Sequence, residues 1–327
     1  MRALVQDEYG DPAEVLRVEE VDRPEPRADE VLVRVEAASV NPADWHLVRG
    51  EPLVARMAMG LGAPRQRTPG CDVAGVVEAV GASVTRFGPG DAVFGSPFGQ
   101  GLGAFAEYVA VPDDQLALRP TEVSAEQAAA GPLAALTALQ GLRDHGGVTE
   151  GRRVLIIGAS GGVGGFAVQL AKHLGATVTG VCSRRNLDRV SSLGADHVVD
   201  YAIEDAVDGA LRYDVILQLA GERSPTDYRR ALTSTGTLVM IGGDSSDRVL
   251  GAVGRLAKAA VLSLFISQRM TSFTVAPNRD DLQLIADLLA DGTLVPTIER
   301  TYELEEVPEA ILHVEAGHTA GKVVVRV

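Results

Sequence analysis

The sequence predicts an α/β protein with two domains, a small barrel-like β domain and a doubly wound parallel sheet. Three observations carry this. Residues 153–175 form an apolar strand, a glycine-dense turn and a helix that ends at Gly175. From there to about residue 241, buried-type strands alternate with helical segments, the mark of repeated β-α-β units. Ahead of residue 122, short segments of period two are punctuated by glycine and proline turns. At 327 residues the chain is long enough to build both cores.

In chain order, Leu32–Ala37 alternates after Pro24 and Pro26, and Val73–Val80 is a strand-like run between Gly70 and Gly81. Pro89-Gly90-Asp91 turns the chain into Ala92–Phe94, and Ala104–Val111 alternates again. The pattern lapses over Met57–Arg67, which is expected to be a loop near a site entrance. At Ser124-x-x-Gln127, a capping box, the period changes from two to three or four, and Pro132 is placed to open a second helix ending near Gly141 or Asp144. That change marks the domain boundary. It gives a first domain over 1–122 and a sheet domain over 123–267. Residues 268–327 are expected to rejoin the first domain, because chain termini commonly lie together.

The strands expected after the glycine turn are Thr177–Cys182, His197–Tyr201, Asp214–Leu219 and Thr237–Ile241. Helices are expected over Leu187–Leu193 and Pro225–Leu232, and Gly242-Gly243 closes the fifth strand. The apolar stretch Val249–Ile266 carries Arg255 and Lys258 near its middle, so it reads as a buried or interface helix rather than a membrane span. A strand over Met270–Val275, helices over Arg279–Ala290 and Val307–Glu315, and a last strand over Lys322–Val327 complete the pattern.

A net charge of −14 argues against a general nucleic-acid partner. Two cysteines, Cys71 and Cys182, exclude a disulfide scaffold and a four-cysteine zinc lobe. The start MRALVQDEYG has no basic-then-apolar leader, so a cytoplasmic location is expected.

The turn Gly158-Ala159-Ser160-Gly161-Gly162-Val163-Gly164-Gly165 between a strand and a helix is a phosphate cradle. Glycine admits close backbone approach, and the helix start offers N–H groups and the positive end of its dipole. In such dinucleotide sites an acid at the end of the second strand accepts the ribose 2′-hydroxyl of NAD. Here that strand ends Val181-Cys182-Ser183-Arg184-Arg185-Asn186, with no carboxylate. The Ser183 hydroxyl and the Arg184 guanidinium suit a 2′-phosphate, and Tyr201 at the end of the third strand adds a donor. This favours NADPH over NADH. The alternative for Arg184 and Arg185 is the start of a solvated helix, and for Tyr201 a strand cap.

The chain resembles the zinc-independent quinone oxidoreductase branch of the medium-chain dehydrogenase/reductase superfamily over nearly its whole length. The likeness rests on Ser39-Val40-Asn41-Pro42-Ala43-Asp44-Trp45, Gly70-Cys71-Asp72-Val73-Ala74-Gly75 and Gly88-Pro89-Gly90-Asp91-Ala92-Val93-Phe94-Gly95. Leu136-Thr137-Ala138, the Gly158–Gly164 cradle, Leu193-Gly194-Ala195-Asp196-His197 and Gly317-His318-x-x-Gly321-Lys322-Val323 add to it. The resemblance implies a GroES-like catalytic domain, completed by the C-terminus, around a Rossmann NADP-binding domain, and a homodimer. It implies hydride transfer from NADPH to a quinone or enone, with no nucleic-acid or membrane partner. By position, Ser160, Gly161, Gly162 and Val163 meet the pyrophosphate, and Gly242 lies beside the nicotinamide ribose or simply forms a turn. Phe273 and Val275 close over the nicotinamide, and Lys322 either reaches a phosphate or is a solvated charge. Gln218 stands where relatives often have Asp.

In the zinc-dependent relatives a Cys, a His and a third ligand hold the metal. The comparison puts Asn41 in place of the Cys and Cys71 in place of the His. An amide and one thiolate do not make a tetrahedral site, and His46, read as a loop residue, adds at most half of one. The chain is therefore expected to be metal-free. An acceptor carbonyl must then be polarised by hydrogen bonds, and Asn41 is the catalytic candidate for this. Its alternative is to hold the turn before Pro42. Asp44 is a candidate orienting or proton-relay group, or else an ion-pair partner or helix cap. The acceptor pocket is expected from Met57–Arg67 and Leu262–Gln268. Two other functions remain open, an NADP-dependent alcohol or aldehyde dehydrogenase and a non-catalytic NADPH-binding redox sensor.

Overall fold

Alternation of apolar and polar side chains builds the N-terminal sheet. In the computed structural model, which describes residues 1–221, 223–241 and 267–327, β1 (Arg2–Val5) pairs antiparallel with β2 (Arg17–Glu20). The spine of the larger sheet is β3 (Glu30–Val40), antiparallel to β4 (Asp72–Val80), β6 (Tyr108–Pro112) and β15 (Lys322–Arg326). The strands β5 (Ala92–Gly95), β7 (Leu116–Leu118) and β14 (Ile298–Glu303) extend it in the order β14-β15-β3-β4-β5-β7, with β6 off this path on β3. Its core gathers Val31, Val33 and Val35 with Val73, Val77, Phe105 and Val325. The helix Val307–Glu315 buries Val307, Ala310, Ile311 and Val314 on one face, the i, i+3, i+4, i+7 stripe of an amphipathic helix.

This sheet belongs to a unit formed by Met1–Leu136 and Ala276–Val327; Thr137–Val275 form the other. The sequence puts the first boundary at 122/123, and the structure divides the chain inside the helix Pro132–Gln140. The helix Ala125–Ala129 packs on β3 and β4, so contacts assign it to the first unit although its period is helical. Its cap is the expected box: the Gln127 N–H donates to Ser124 Oγ (3.2 Å) and the Ser124 N–H to Gln127 Oε1 (3.0 Å).

Three α-helices among the described residues are absent from the sequence reading: Pro12–Val15, Pro42–Arg49 and Arg56–Met59, the last of which runs into the stretch expected to be a loop. Pro42–Arg49 is α-helical, so His46 lies on a helix and not in a loop. Pro42 fills the first turn, where its missing N–H costs nothing, and Gly50 (φ 63°) ends it in the left-handed conformation.

The second unit is built on β8 (Arg153–Ile157), β9 (Thr177–Cys182), β10 (His197–Asp200), β11 (Tyr213–Gln218), β12 (Leu232–Met240) and β13 (Arg269–Ser272). All neighbours are parallel, in the order β10-β9-β8-β11-β12-β13. Numbered within the unit this is 3-2-1-4-5-6, the Rossmann order, with ligands expected at the carboxyl ends of the strands near β8. The last strand stops at Ser272 and not at Val275, because its pairing with β12 runs out at Met240↔Ser272. The stretch Val249–Ile266, most of Leu262–Gln268, and Gly242-Gly243 lie outside the described residues. Among the described residues no helix is long and apolar enough to cross a membrane.

Candidate cofactor site and a buried polar network

The cradle follows β8. Gly158 has φ 87°, and its N–H and that of Ala159 donate to Val181 O (3.1 and 3.0 Å), which ties the turn to β9. The helix Gly162–His173 starts at once, with Gly161 as N-cap. A Cβ on Gly164 would lie 2.1 Å from Gly158 O, so this glycine is required for the helix to start so close to the turn. A Cβ on Gly161 would meet nothing nearer than 3.5 Å. The N–H groups of Gly162 and Val163 belong to the first helical turn and have no partner within the helix. Ser160, Gly161, Gly162 and Val163 are all half-buried, so this edge of the turn faces outward.

The pairing of β9 with β10 sets Asp200 opposite Cys182, and the Tyr201 N–H donates to Cys182 O (3.2 Å). Ser183, Arg184 and Tyr201 therefore gather at one corner of the sheet. Arg184 is exposed, and Tyr201 is 65% exposed. The carboxylate of Asp200 accepts the Ala202 N–H (3.0 Å) and caps its own turn. Cys182 is buried, and burial raises its thiol above the ordinary range.

Phe273 and Val275 follow β13 in irregular chain, both half-buried. The Phe273 ring stacks on His145 (4.2 Å between centroids, 10° between planes) at the end of the π-helical turn Gly141–His145, so one face is already covered within this unit. The amide of Gln218 is buried at the end of β11. Its Nε2 donates to Ala220 O (3.2 Å) and Gly221 O (2.7 Å), fixing the turn that follows.

The remaining expected residues lie in the first unit, inside its core. Sheet register sets Ser39 opposite Asp72 and Val40 opposite Val323, which brings Asn41 and Lys322 beside the Asp72 carboxylate. Asp72, with no exposure, accepts from Ser39 Oγ (2.7 Å), Asn41 Nδ2 (2.8 Å) and the Leu133 N–H (2.8 Å). Lys322 Nζ lies 3.5 Å from Asp72 and donates to Asn41 Oδ1 (2.5 Å) and Val40 O (3.4 Å). Two expectations are corrected here. Lys322 is 4% exposed and its ammonium is engaged in the core, so it is neither solvated nor available to a phosphate. The Asn41 amide donates to Asp72 and Ser39 O (3.4 Å), so its N–H groups are not free to polarise an acceptor.

Asp44, with no exposure, accepts the Asn41 N–H at Oδ2 (2.7 Å) and the Cys71 S–H at Oδ1 (3.2 Å). It is a helix cap sealed in the core and offers no proton-relay surface. Burial raises its pKa to about 7, against the lowering effect of those two donors. The native state thus holds a proton that the unfolded chain releases near pH 4. Its contribution to stability is complete at acid pH and is lost as pH rises through about 7. Urea unfolding between pH 5 and 8 should show stability falling by about 1.4 kcal/mol per pH unit up to about pH 7 and levelling off above it. Asp44→Asn should flatten that slope.

The same geometry tests the zinc site that the fold suggests. The Cys71 thiol is buried and donates to Asp44, and burial beside two carboxylates pushes its pKa well above the usual range. A metal ligand must be a thiolate. Asn41 is held by Asp72 and Lys322, and no cluster of three metal-ligating side chains occurs among the described residues. These residues do not fit zinc.

Residues 27–121 match the alcohol dehydrogenase GroES-like domain, and residues 193–325 match the zinc-binding dehydrogenase family. The chain is 32% identical over 336 residues to the chloroplastic quinone-oxidoreductase homolog of Spinacia oleracea, covering 99% of this chain and 98% of that protein. It is 32% identical over 337 residues to the chloroplastic NADPH-dependent alkenal/one oxidoreductase of Arabidopsis thaliana, covering 99% of this chain and 79% of that protein. The crystal structure of Escherichia coli quinone oxidoreductase complexed with NADPH superposes with a TM-score of 0.83, at 26% identity, covering 100% of both chains.

Proposed function

The chain belongs to the quinone oxidoreductase branch of the medium-chain dehydrogenase/reductase superfamily and is an oxidoreductase, and from that premise we propose that it uses NADPH, without zinc, to reduce a quinone or an α,β-unsaturated carbonyl compound. The observation that carries the choice of cofactor is the corner formed by Ser183, Arg184 and Tyr201, where β9 ends without a carboxylate.

When bound, the nicotinamide cofactor supplies the hydride. Backbone N–H groups of Gly162 and Val163, with the Ser160 hydroxyl, hold the pyrophosphate at the positive end of the helix Gly162–His173. The Arg184 guanidinium and Ser183 hydroxyl neutralise and orient the 2′-phosphate, and the Tyr201 hydroxyl adds a donor. Asn41 and Asp44 are assigned no chemical step. They anchor the helix Pro42–Arg49 to the sheet, and the reduced acceptor takes its proton from solvent.

Consumption of NADPH, with NADH in parallel, should be followed against a panel of benzoquinones and enones. Turnover with NADPH that chelators leave unchanged is expected. Arg184→Ala should raise KM for NADPH about tenfold or more while leaving KM for NADH within twofold, since a hydrogen bond to a charged group contributes about 1.5–3 kcal/mol. Turnover that requires added zinc, or equal loss with both cofactors, would overturn the reading.

A further inference from the structure

Between the glycine turn and the end of β9 sits a buried side chain that the proposed cofactor contacts do not include. Asn186 is 7% exposed, at the step from the 3₁₀ turn Arg184–Asn186 to the helix Leu187–Ser192. Its Nδ2 donates one N–H to Ser160 Oγ and one to Ser183 Oγ, both at 3.1 Å. Its Oδ1 accepts from Arg189 Nη2 (3.1 Å), and the same Nη2 donates to Ser160 O (3.0 Å).

A hydroxyl has a single proton. When its oxygen accepts a hydrogen bond from a neighbour, that proton is left to be donated elsewhere. Ser160 stands at the turn assigned to the pyrophosphate and Ser183 at the corner assigned to the 2′-phosphate. Both are half-buried, so each has an open side toward which its O–H can point. The cation at Arg189 polarises the Asn186 amide and strengthens both of its donations. We propose that Arg189 and Asn186 form a relay that sets both serine hydroxyls as donors to phosphate and couples the two anion sites of the cofactor. This deepens the NADPH reading and rests on it. Asn186 is a positioning residue, and only the two serines touch the cofactor. The coupling reaches two loops some twenty residues apart in sequence through one amide, so its loss is felt at both.

The test uses adenosine 2′,5′-bisphosphate and 5′-ADP as probes, with calorimetric titration of the full chain and its melting temperature as a control. The wild type should bind the 2′,5′-bisphosphate about tenfold tighter than ADP. Asn186→Ala should weaken the bisphosphate about tenfold, the effect of one hydrogen bond to a charged group. Ser183→Ala should cost about as much in the wild type but less than twofold in the Asn186→Ala background, the non-additivity expected of groups acting as one unit. Ser160→Ala should behave in the same way toward ADP. Arg189→Met, which breaks the relay from its far end, should weaken the bisphosphate in the same direction by a smaller factor, and it replaces Asn186→Ala if that variant does not fold. Equal serine costs in both backgrounds, or unchanged affinity in Asn186→Ala or Arg189→Met, would overturn the relay. Equal wild-type affinity for the two probes would instead overturn the NADPH reading, and the Ser160 arm with ADP would then decide the relay alone.

Discussion

Replacing Lys322 by Met should destabilise the first unit by about 3–5 kcal/mol, the usual cost of removing one partner of a buried ion pair. The ammonium lies 3.5 Å from a carboxylate with no exposure, and the methionine would leave that charge with only neutral donors. Asp72→Asn in the same chain should restore much of the loss, because the charge that Lys322 compensates is then gone. Urea unfolding of the two single variants and the double variant measures this directly. If Lys322 instead held a cofactor phosphate, the substitution would weaken NADPH binding and leave stability unchanged. Burial already pulls the Lys322 pKa down against the attraction of Asp72 and Asp44, so the ammonium persists through its carboxylate partners and not through water.

Gly164→Ala should cripple the cradle, and Gly161→Ala should not unfold it. The added methyl at 164 would sit 2.1 Å from Gly158 O, a backbone atom with no room to retreat because its own turn is tied to Val181 O. The helix start must then move away from the turn. Losing even one backbone hydrogen bond to a charged phosphate costs about 1.5–3 kcal/mol, so nucleotide affinity should fall about tenfold or more and the melting temperature should drop. At Gly161 (φ −77°) the methyl meets only ordinary contacts within the protein. Nucleotide binding should weaken there at an unchanged melting temperature. Reversal of the two behaviours would place the phosphate elsewhere.

The sheet domain was legible because its strands are apolar runs bounded by glycines. Thr177–Cys182 and Arg279–Ala290 run in the structure between the residues expected, and the β-α-β alternation implies parallel strands joined by right-handed crossovers. The helix Pro42–Arg49 was missed although Asn41-Pro42-Ala43-Asp44 is an N-cap, a first-turn proline and an acid at the third position. The same residues carry two roles at once: Asp44 caps the helix, while the Asn41 side chain belongs to the buried network around Asp72. The buried network was hidden for another reason. Asp72 and Lys322 each open a strand and are followed at once by apolar residues, but only the register of β3 with β4 and β15 brings the two together. Long-range pairing of that kind has no local trace. Asn186 stands in the sequence only as the residue after Arg185, and nothing there shows that its amide reaches back to Ser160.

Both cysteines of the chain are buried, and burial keeps Cys71 and Cys182 as thiols rather than thiolates. Quinones and enones are soft electrophiles that add to thiolates, so an enzyme reducing them works in a solution of reagents able to alkylate it. Under the function proposed above, the absence of a thiolate at the surface would spare the protein from alkylation by its own acceptors. Intact mass after incubation with excess benzoquinone should show no thiol adduct on the native chain and two on the unfolded one.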